Sequence, residues 1–361
     1  MKLLITCFKW TAPVLSQELK IMWYKTFDNF PTWMYIEWGM EDICKINLES
    51  RIANKVYMEL WSDRIENFDQ LFDFVYGMDR EKYIWKWHKI AVTTNIFKSK
   101  IDSQRSTQSI VNKAIIKKLV WDDKQRMSDP NKDEVNIFVQ IIENKCSIFV
   151  NTSGESLHNR WYREDTWDAP LKENLSASLI RLCNRHFKAP LLDPMCGSGT
   201  ICIEAAMIAK NIAPGLNRKF TFQNFVEFEK EKFEEMKNKL RWKIFEWDYK
   251  IVGNDIDDKM IRFARQNAVN AGVDDIVIFE KKDISETKKW DGYVVCNPPY
   301  GKRMDNENME LLYKNLIEIY ENGASGCFIS SREPADRMIW YDFKIKNLNN
   351  NGEDVKIYLK K

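Results

Sequence analysis

Asn297-Pro298-Pro299-Tyr300 sets a side-chain amide, two rigid prolines and an aromatic ring directly after the apolar run Gly292-Tyr293-Val294-Val295-Cys296. The run reads as a buried strand, and the prolines stop it. They also fix φ, so the carbonyls of Asn297 and Pro298 point in set directions where they can accept hydrogen bonds from a ligand. A proline-stiffened loop would explain the prolines but does not call for Asn and Tyr at its two ends. About a hundred residues earlier stands a second stretch, Leu191-Leu192-Asp193-Pro194-Met195-Cys196-Gly197-Ser198-Gly199-Thr200. Gly197 and Gly199 can take backbone angles closed to other residues and let the chain approach a ligand without a Cβ in the way.

The second stretch reads as a strand, a ligand-binding turn and a helix through Ile201, Ile203, Ala205, Ala206 and Ile208, capped by Thr200. The exposed first-turn N–H groups of such a helix favour a carboxylate or phosphate. On these residues alone, a tight strand-to-helix turn without a ligand fits equally well. Further strands are expected at Pro190–Asp193, Lys250–Asn254, Asp275–Glu280, Tyr293–Cys296 and Cys327–Ser331, with helices between most of them. A closing hairpin, Phe343–Leu348 and Val355–Leu359, would turn near Asn351-Gly352. The alternation predicts an α/β doubly wound sheet, whose ligands sit beyond the carboxyl ends of its strands at the switch point. Both chemical stretches would then share one crevice.

Together these stretches resemble the class I S-adenosylmethionine-dependent methyltransferases that carry an Asn-Pro-Pro-Tyr signature and modify exocyclic or amide nitrogens. The resemblance narrows upstream, at Ser153-Gly154-Glu155-Ser156-Leu157-His158-Asn159-Arg160-Trp161-Tyr162-Arg163 and Ala169-Pro170-Leu171-Lys172-Glu173-Asn174, and again at Ile212-Ala213-Pro214-Gly215-Leu216. These are similar to the THUMP-containing RNA guanine-N2 methyltransferases, above all the bacterial enzymes that act on large-subunit (23S) ribosomal RNA. The likeness covers the chain from about Asp42 to near its end, densely from Ser153 to Arg303.

The resemblance implies a Rossmann-like class I methyltransferase domain, seven-stranded with an antiparallel last strand, after a connector (residues 155–361). An α+β ferredoxin-like lobe (1–44) and a THUMP RNA-binding domain (45–154) would precede it. It implies S-adenosyl-L-methionine as cofactor, with Asp193, Pro194, Cys196, Gly197, Ser198, Gly199 and Thr200 around its methionine end. Asp255 would accept both ribose hydroxyls with Ile256 beside it, while Asp283 and Ile284 would meet the adenine. The plainer alternative for either acid is an ordinary turn or helix cap. Asn297, Pro298, Pro299 and Tyr300 would be catalytic: the Asn297 side-chain oxygen and the Pro298 carbonyl accept the two protons of an exocyclic amine, and Tyr300 stacks on the base. Such chemistry requires no metal and no covalent nucleophile. Arg160 and Arg163 would face RNA. The chain departs from the family at Trp161, where a glycine is usual, and at Phe225, where a tryptophan is usual.

The first third of the chain reads as a strand (Leu3 to Phe8), an amphipathic helix (about Ser16 to Phe27) and an apolar run at Trp33–Trp38. A strand at Ile90–Phe97 and a hairpin of Val135–Ile141 with Cys146–Val150 follow. The Phe220–Trp247 segment is an insertion whose charge run Glu229–Glu235 is expected to be a solvated helix face laced with i,i+4 pairs.

Formal net charge is only +2, so a nucleic-acid face must be local. Between Arg80 and Arg126 twelve basic residues stand against four acidic ones. On a helix expected at Thr107–Val120, Lys113 and Lys117 lie one turn apart, opposite Val111, Ile115 and Leu119, and can project together toward phosphates. A solvated basic face is the plainer alternative. Nearby Trp85, Trp87 and His88 would either stack on bases or fill a core. With 361 residues and 44% hydrophobic content, two or three domains are expected. No apolar run spans a bilayer and no signal peptide is evident, so a cytoplasmic location is expected without a membrane partner. The eight scattered cysteines are expected to be reduced and mostly buried. Three alternatives to 23S rRNA remain: a tRNA guanosine, a DNA adenine or protein glutamine acceptor, and a non-catalytic RNA-binding factor. Family members can carry a second methyltransferase domain after the first; this chain ends before one, so a single modification is expected.

Overall fold

The structure is a computed structural model that describes residues 2–27, 30–37, 39–78, 82–84, 89–121, 134–163, 171–183, 189–246, 248, 250–299, 306–330, 335, 343–350 and 353–360. The first half builds one sheet from β1 (Lys2–Thr6), β2 (Thr26–Phe27), β3 (Trp33–Glu37), β4 (Lys55–Arg64), β5 (Lys89–Phe97), β6 (Glu134–Ile142) and β7 (Lys145–Asn151). Its order is β2-β3-β1-β4-β7-β6-β5, with α1 (Ala12–Ile21), α2 (Met40–Glu49), α3 (Phe68–Gly77) and α4 (Gln104–Trp121) between strands. All its pairs are antiparallel except β5 with β6, which α4 bridges as the crossover that parallel neighbours need. The β6–β7 hairpin expected from alternation turns at Glu143 and Asn144, both with positive φ.

Two expectations for this half are corrected. The boundary at residues 44 and 45 falls inside α2, and β1 pairs with both β3 and β4, so the segments on either side of it share one sheet. The helix expected at Ser16–Phe27 is instead α1, started earlier by Pro13 in its first turn. It ends at a left-handed Trp23, after which Thr26 and Phe27 pair as β2.

The second half supplies β8 (Leu191–Asp193), β9 (Ile251–Asp255), β10 (Val277–Lys281), β11 (Tyr293–Cys296), β12 (Ser325–Ser330), β13 (Phe343–Asn350) and β14 (Glu353–Lys360). Strand ends agree with the sequence reading to within two residues, because buried parallel strands are continuous apolar runs punctuated by Gly, Pro and Asp. The order is β10-β9-β8-β11-β12-β14-β13, parallel through β12 and antiparallel at β14. The expected turn at Asn351-Gly352 lies outside the described residues. Helices α5 (Glu173–Cys183), α6 (Thr200–Ala209), α7 (Lys230–Trp242), α8 (Asp258–Ala271) and α9 (Asn306–Glu321) cover the sheet. Every residue of α6 is buried, which makes it the central helix of the half.

One apolar core runs from Leu3 and Ile46 to Ile201, Ile251 and Ile357, so the halves are packed as a unit. Backbone bonds stitch them: Gly215 N to Leu48 O at 2.8 Å, Phe222 N to Thr152 O at 3.0 Å and Val226 N to Lys82 O at 3.0 Å. Residues 220–246 form the wedge between them. Phe222, Phe228 and Phe233 pack ring against ring, and Phe225 meets Tyr83 edge-on at 5.1 Å. Its ion pairs, Glu229 with Lys232 and Glu234 with Lys237, are spaced i,i+3, while Phe233 and Leu240 turn the other helix face inward. Among the described residues no helix is long and apolar enough to cross a membrane. All eight cysteines are unpaired, and seven are buried.

Candidate active site

The chain leaves β8 toward β9 on one side and later returns to β11 on the other, so the carboxyl end of β8 is the switch point of the sheet. Gly197 and Gly199 sit there with φ +53 and +85. A Cβ on Gly199 would lie 2.7 Å from the Phe279 ring, so packing as well as conformation requires glycine. A Cβ on Gly197 would meet nothing within 4 Å, so this residue lies bare beside open space at the end of the strand. Gly199, not Thr200, is the N-cap of α6; Thr200 begins the helix, and its hydroxyl accepts a hydrogen bond from Arg163. Asn267 Nδ2 donates to Ser198 O at 3.0 Å and steadies the turn from α8.

Asp255, at the end of β9, reaches across to this turn. Its Oδ2 accepts from Gly197 N and its Oδ1 from Asp257 N, each at 2.9 Å, which leaves each oxygen a further lone pair. Burial raises its pKa, and the two amides oppose the shift. Asp193 is 1% exposed, and burial pushes its carboxyl well above the ordinary range; the Met195 amide lowers it and Asp255 raises it further. A buried acid of this kind suits a ligand with a positive charge. Asn254 Oδ1, next to Asp255, is buried without a donor among the described residues. Bare Gly197, Asp193 and this orphaned oxygen fit a polar, cationic ligand with donor groups. Asp283 caps a short helical turn: its Oδ1 accepts from Ser285 N while Glu286 returns a carboxylate oxygen to Asp283 N. Hydrogen bonds from the Ser285 side chain and then from its amide hold the Asp283 pKa below the usual value. Ile284 is packed into the core with Leu192 and Met309, whereas Ile256, 66% exposed, offers apolar surface at this edge.

β11 pairs with β8 through Tyr293↔Leu191 and Val294↔Leu192, so the residues after Cys296 emerge beside Asp193 and the glycine turn. Asn297 is half-buried, Pro298 buried and Pro299 half-buried. Tyr300 lies outside the described residues. Tyr320 donates its hydroxyl to Val294 O at 2.8 Å and pins the strand from α9.

The connector arginines are corrected. Arg160 is 5% exposed: Nε donates to Glu204 at 3.3 Å, Nη2 to Arg51 O at 2.8 Å and Nη1 to Leu157 O, so it is a strut and unavailable to RNA. Arg163 binds Thr200 and Glu173 with its side chain 11% exposed, tying the connector to the start of α6. Glu204 also accepts from Tyr162 OH at 3.2 Å, and Trp161 Nε1 donates to Asn270 O at 3.3 Å. Glu173, Glu204, Arg51 and Asn254 were not singled out in sequence; Glu173, Glu204 and Asn254 are signalled only as a charged or polar residue in an apolar helix or strand, and Arg51, in the bend between α2 and β4, carries no such signal.

Lys113 and Lys117 stand exposed on α4, while Val111 and Ile115 are buried, as the periodicity predicts. Lys117 rests 5.4 Å from the Phe72 ring and 5.9 Å from that of Tyr76. Elsewhere in the basic window Lys82, Lys89 and Lys100 are neutralised by Glu227, Glu134 and Glu66. Arg80, Lys86, Lys124 and Arg126 lie outside the described residues, as do Trp85, Trp87 and His88.

A sheet of this order, with an antiparallel strand inserted beside its end and a glycine turn after the central strand, is the class I methyltransferase fold. Residues 160–338 match the family described as UPF0020, RMKL-like, methyltransferase domain. The Bacillus subtilis (strain 168) protein named "Putative RNA methyltransferase YpsC" is 33% identical over 285 residues, 77% of this chain and 74% of that protein. Ribosomal RNA large subunit methyltransferase K/L of Shewanella pealeana is 31% identical over 318 residues, 85% of this chain. Those residues make up 44% of that protein, so the chain spans under half its length. The crystal structure of SMU.472, "a putative methyltransferase complexed with SAH", has a TM-score of 0.87 at 29% identity, with 99% of this chain and 97% of that one covered. The chain belongs to the RMKL-like methyltransferase family.

Proposed function

We propose that the protein transfers a methyl group from S-adenosyl-L-methionine to the exocyclic N2 of a guanosine in RNA, with 23S rRNA as the substrate. The observation that carries this reading is the emergence of Asn297-Pro298 beside Asp193 and the Gly197/Gly199 turn, on neighbouring strands at the switch point. Asp193, Pro194, Cys196, Gly197, Ser198 and Thr200 would hold the methionine end, Asp255 the ribose, and Ile256 with Asp283 the adenine. When bound, the cofactor supplies a methyl group already activated on a sulfonium. The protein's task is then to orient the acceptor, and positioning can supply up to about 7–11 kcal/mol. An aromatic amine spreads its lone pair into the ring. Asn297 and the Pro298 carbonyl, accepting its two protons, favour the localised lone pair, and Tyr300 would hold the base by stacking. RNA is supported by the exposed Lys113/Lys117 face and by the names of the relatives.

Tritium transfer from labelled cofactor should place counts in RNA and not in DNA or protein. Label in DNA or a protein amide overturns the acceptor, and cofactor binding without any transfer leaves an RNA-binding factor. At a hundredfold excess over its dissociation constant, S-adenosylmethionine should stabilise the protein by about 2.7 kcal/mol, and Asp255→Ala should remove most of that shift. Equal stabilisation of the variant in a melting experiment would refute the role of Asp255. Neutralising Lys113 and Lys117 together should reduce the log–log salt slope of RNA binding by up to about two, near 0.7–0.9 per phosphate contact. An unaltered slope would put the RNA face elsewhere.

A further inference from the structure

A cavity of about 390 Å³ lies between the two halves of the molecule, walled by α1, α5 and α7. Asn211 and Ala213, which line it, follow the carboxyl end of α6, whereas the glycine turn is at its amino end. Ten helical residues separate the two, roughly 15 Å of axis, so the cavity is not part of the crevice described above.

Its charges are poorly matched. Arg51, Arg181 and Lys243 face Glu18 and Glu49 across walls formed by Val14, Ile21 and Leu240. Glu18 is already engaged, accepting from Ser50 Oγ at 2.6 Å and Arg51 N at 2.9 Å. Arg51 spends Nη2 on the carbonyls of Ile212 and Met207, and its Nη1 is buried with no acceptor among the described residues. Arg181 makes no hydrogen bond among the described residues. Burial, and after it the charge of Arg181, pushes the Arg51 guanidinium down to about 10, so an anion there would relieve both groups. Burial raises the Glu49 carboxyl, with Lys45, Lys243 and Arg51 opposing the shift, and among the described residues no donor hydrogen-bonds to it. Next to the lining residues Met22 and Lys243, Trp23 and Trp242 are 93% and 89% exposed. Trp23 holds a left-handed φ of 72, a conformation that a bulky side chain rarely adopts.

An anion site, an acceptor for donor groups, apolar walls and exposed indoles together match a nucleotide. We propose that this cavity binds one nucleotide unit, its phosphate at Arg181 and Lys243 with Arg51 behind them, and the amino edge of its base at Glu49. The volume lies within the usual range for ligand pockets, about 300–1,000 Å³. The nucleotide comes from one of two sources, a free mononucleotide or a residue splayed out of bound RNA with its neighbours stacked on Trp23 and Trp242. Only the second rests on the RNA reading given above.

The test is calorimetric titration of the full chain with GMP, with AMP and with inorganic phosphate, beside RNA binding by the same preparations. GMP should bind more tightly than phosphate. Arg181→Gln and Lys243→Gln, which break none of the bonds across the junction, should each weaken it roughly tenfold or more, and Glu49→Gln should reduce the preference over phosphate. Asn297→Ala should leave this binding intact, which separates it from guanine in the crevice. If Arg181→Gln and Trp242→Ala weaken RNA binding as well, the nucleotide belongs to the RNA; if RNA affinity is unchanged while GMP binding is lost, the ligand is a free nucleotide. GMP binding no tighter than phosphate, or indifferent to Arg181 and Lys243, overturns the proposal, whatever the outcome of methyl transfer.

Discussion

Asn297→Ala should lower kcat and kcat/KM together by about 10²–10³-fold and leave KM for RNA nearly unchanged. The expectation follows from where the amide stands: half-buried, at the end of a strand pinned by β8, β12 and Tyr320, so that it is fixed before the acceptor arrives. A fixed acceptor strengthens its bond as the amine lone pair localises, which is a transition-state effect and does not aid binding of the ground state. Tyr300→Ala should differ, since stacking holds the base before reaction as well, and KM should rise. Steady-state kinetics with cofactor and RNA binding measured on one preparation decide this. Near-normal turnover by Asn297→Ala would remove the signature from the mechanism.

A second large effect concerns stability. Arg160→Met should cost about 3–5 kcal/mol, because it leaves Glu204 uncompensated where it is fully buried. Adding Glu204→Gln should recover much of the loss, since the buried charge goes with it. The pH dependence has a definite sign. Burial already lifts the Glu204 carboxyl above its usual 4.5, with Arg160 and then Arg51 opposing the shift. A raised acid contributes its stability in full below the ordinary value and loses it as pH climbs through the folded one. Without Arg160 the folded value rises further, so the penalty of the mutation should grow from pH 5 to pH 8. Urea unfolding of the single and double variants measures this; a loss under about 1 kcal/mol at pH 8 would mean that Arg160 is no strut.

The same pair explains what could be read in the chain and what could not. β8, β9 and β11 were legible because each is a short apolar run ended by Asp, Gly or Pro, and the turn and Asp255 follow directly from those ends. The pairing of β1 with β4 across residue 44 was not legible, since short strands carry no mark of their neighbour. Arg160 reads in sequence as a cation next to aromatic residues, a pattern equally suited to RNA. Its partners Glu204 and Arg51 lie 44 and 109 residues away, and only the fold brings them together. Thr200 likewise looks like a cap, but Gly199 adopts the left-handed turn that leads into α6, and the hydroxyl is taken by Arg163.

The central claim is that a guanosine N2 in RNA receives the methyl group. Total RNA from a strain deleted for this chain, from its parent and from the deletion complemented with wild type or with Asn297→Ala can be digested to nucleosides and mapped for N2-methylguanosine. One N2-methylguanosine, in 23S rRNA, should vanish on deletion, return with the wild-type chain and stay absent with Asn297→Ala. An unchanged set of N2-methylguanosines in the deletion strain, or restoration of the lost one by Asn297→Ala, would contradict the account.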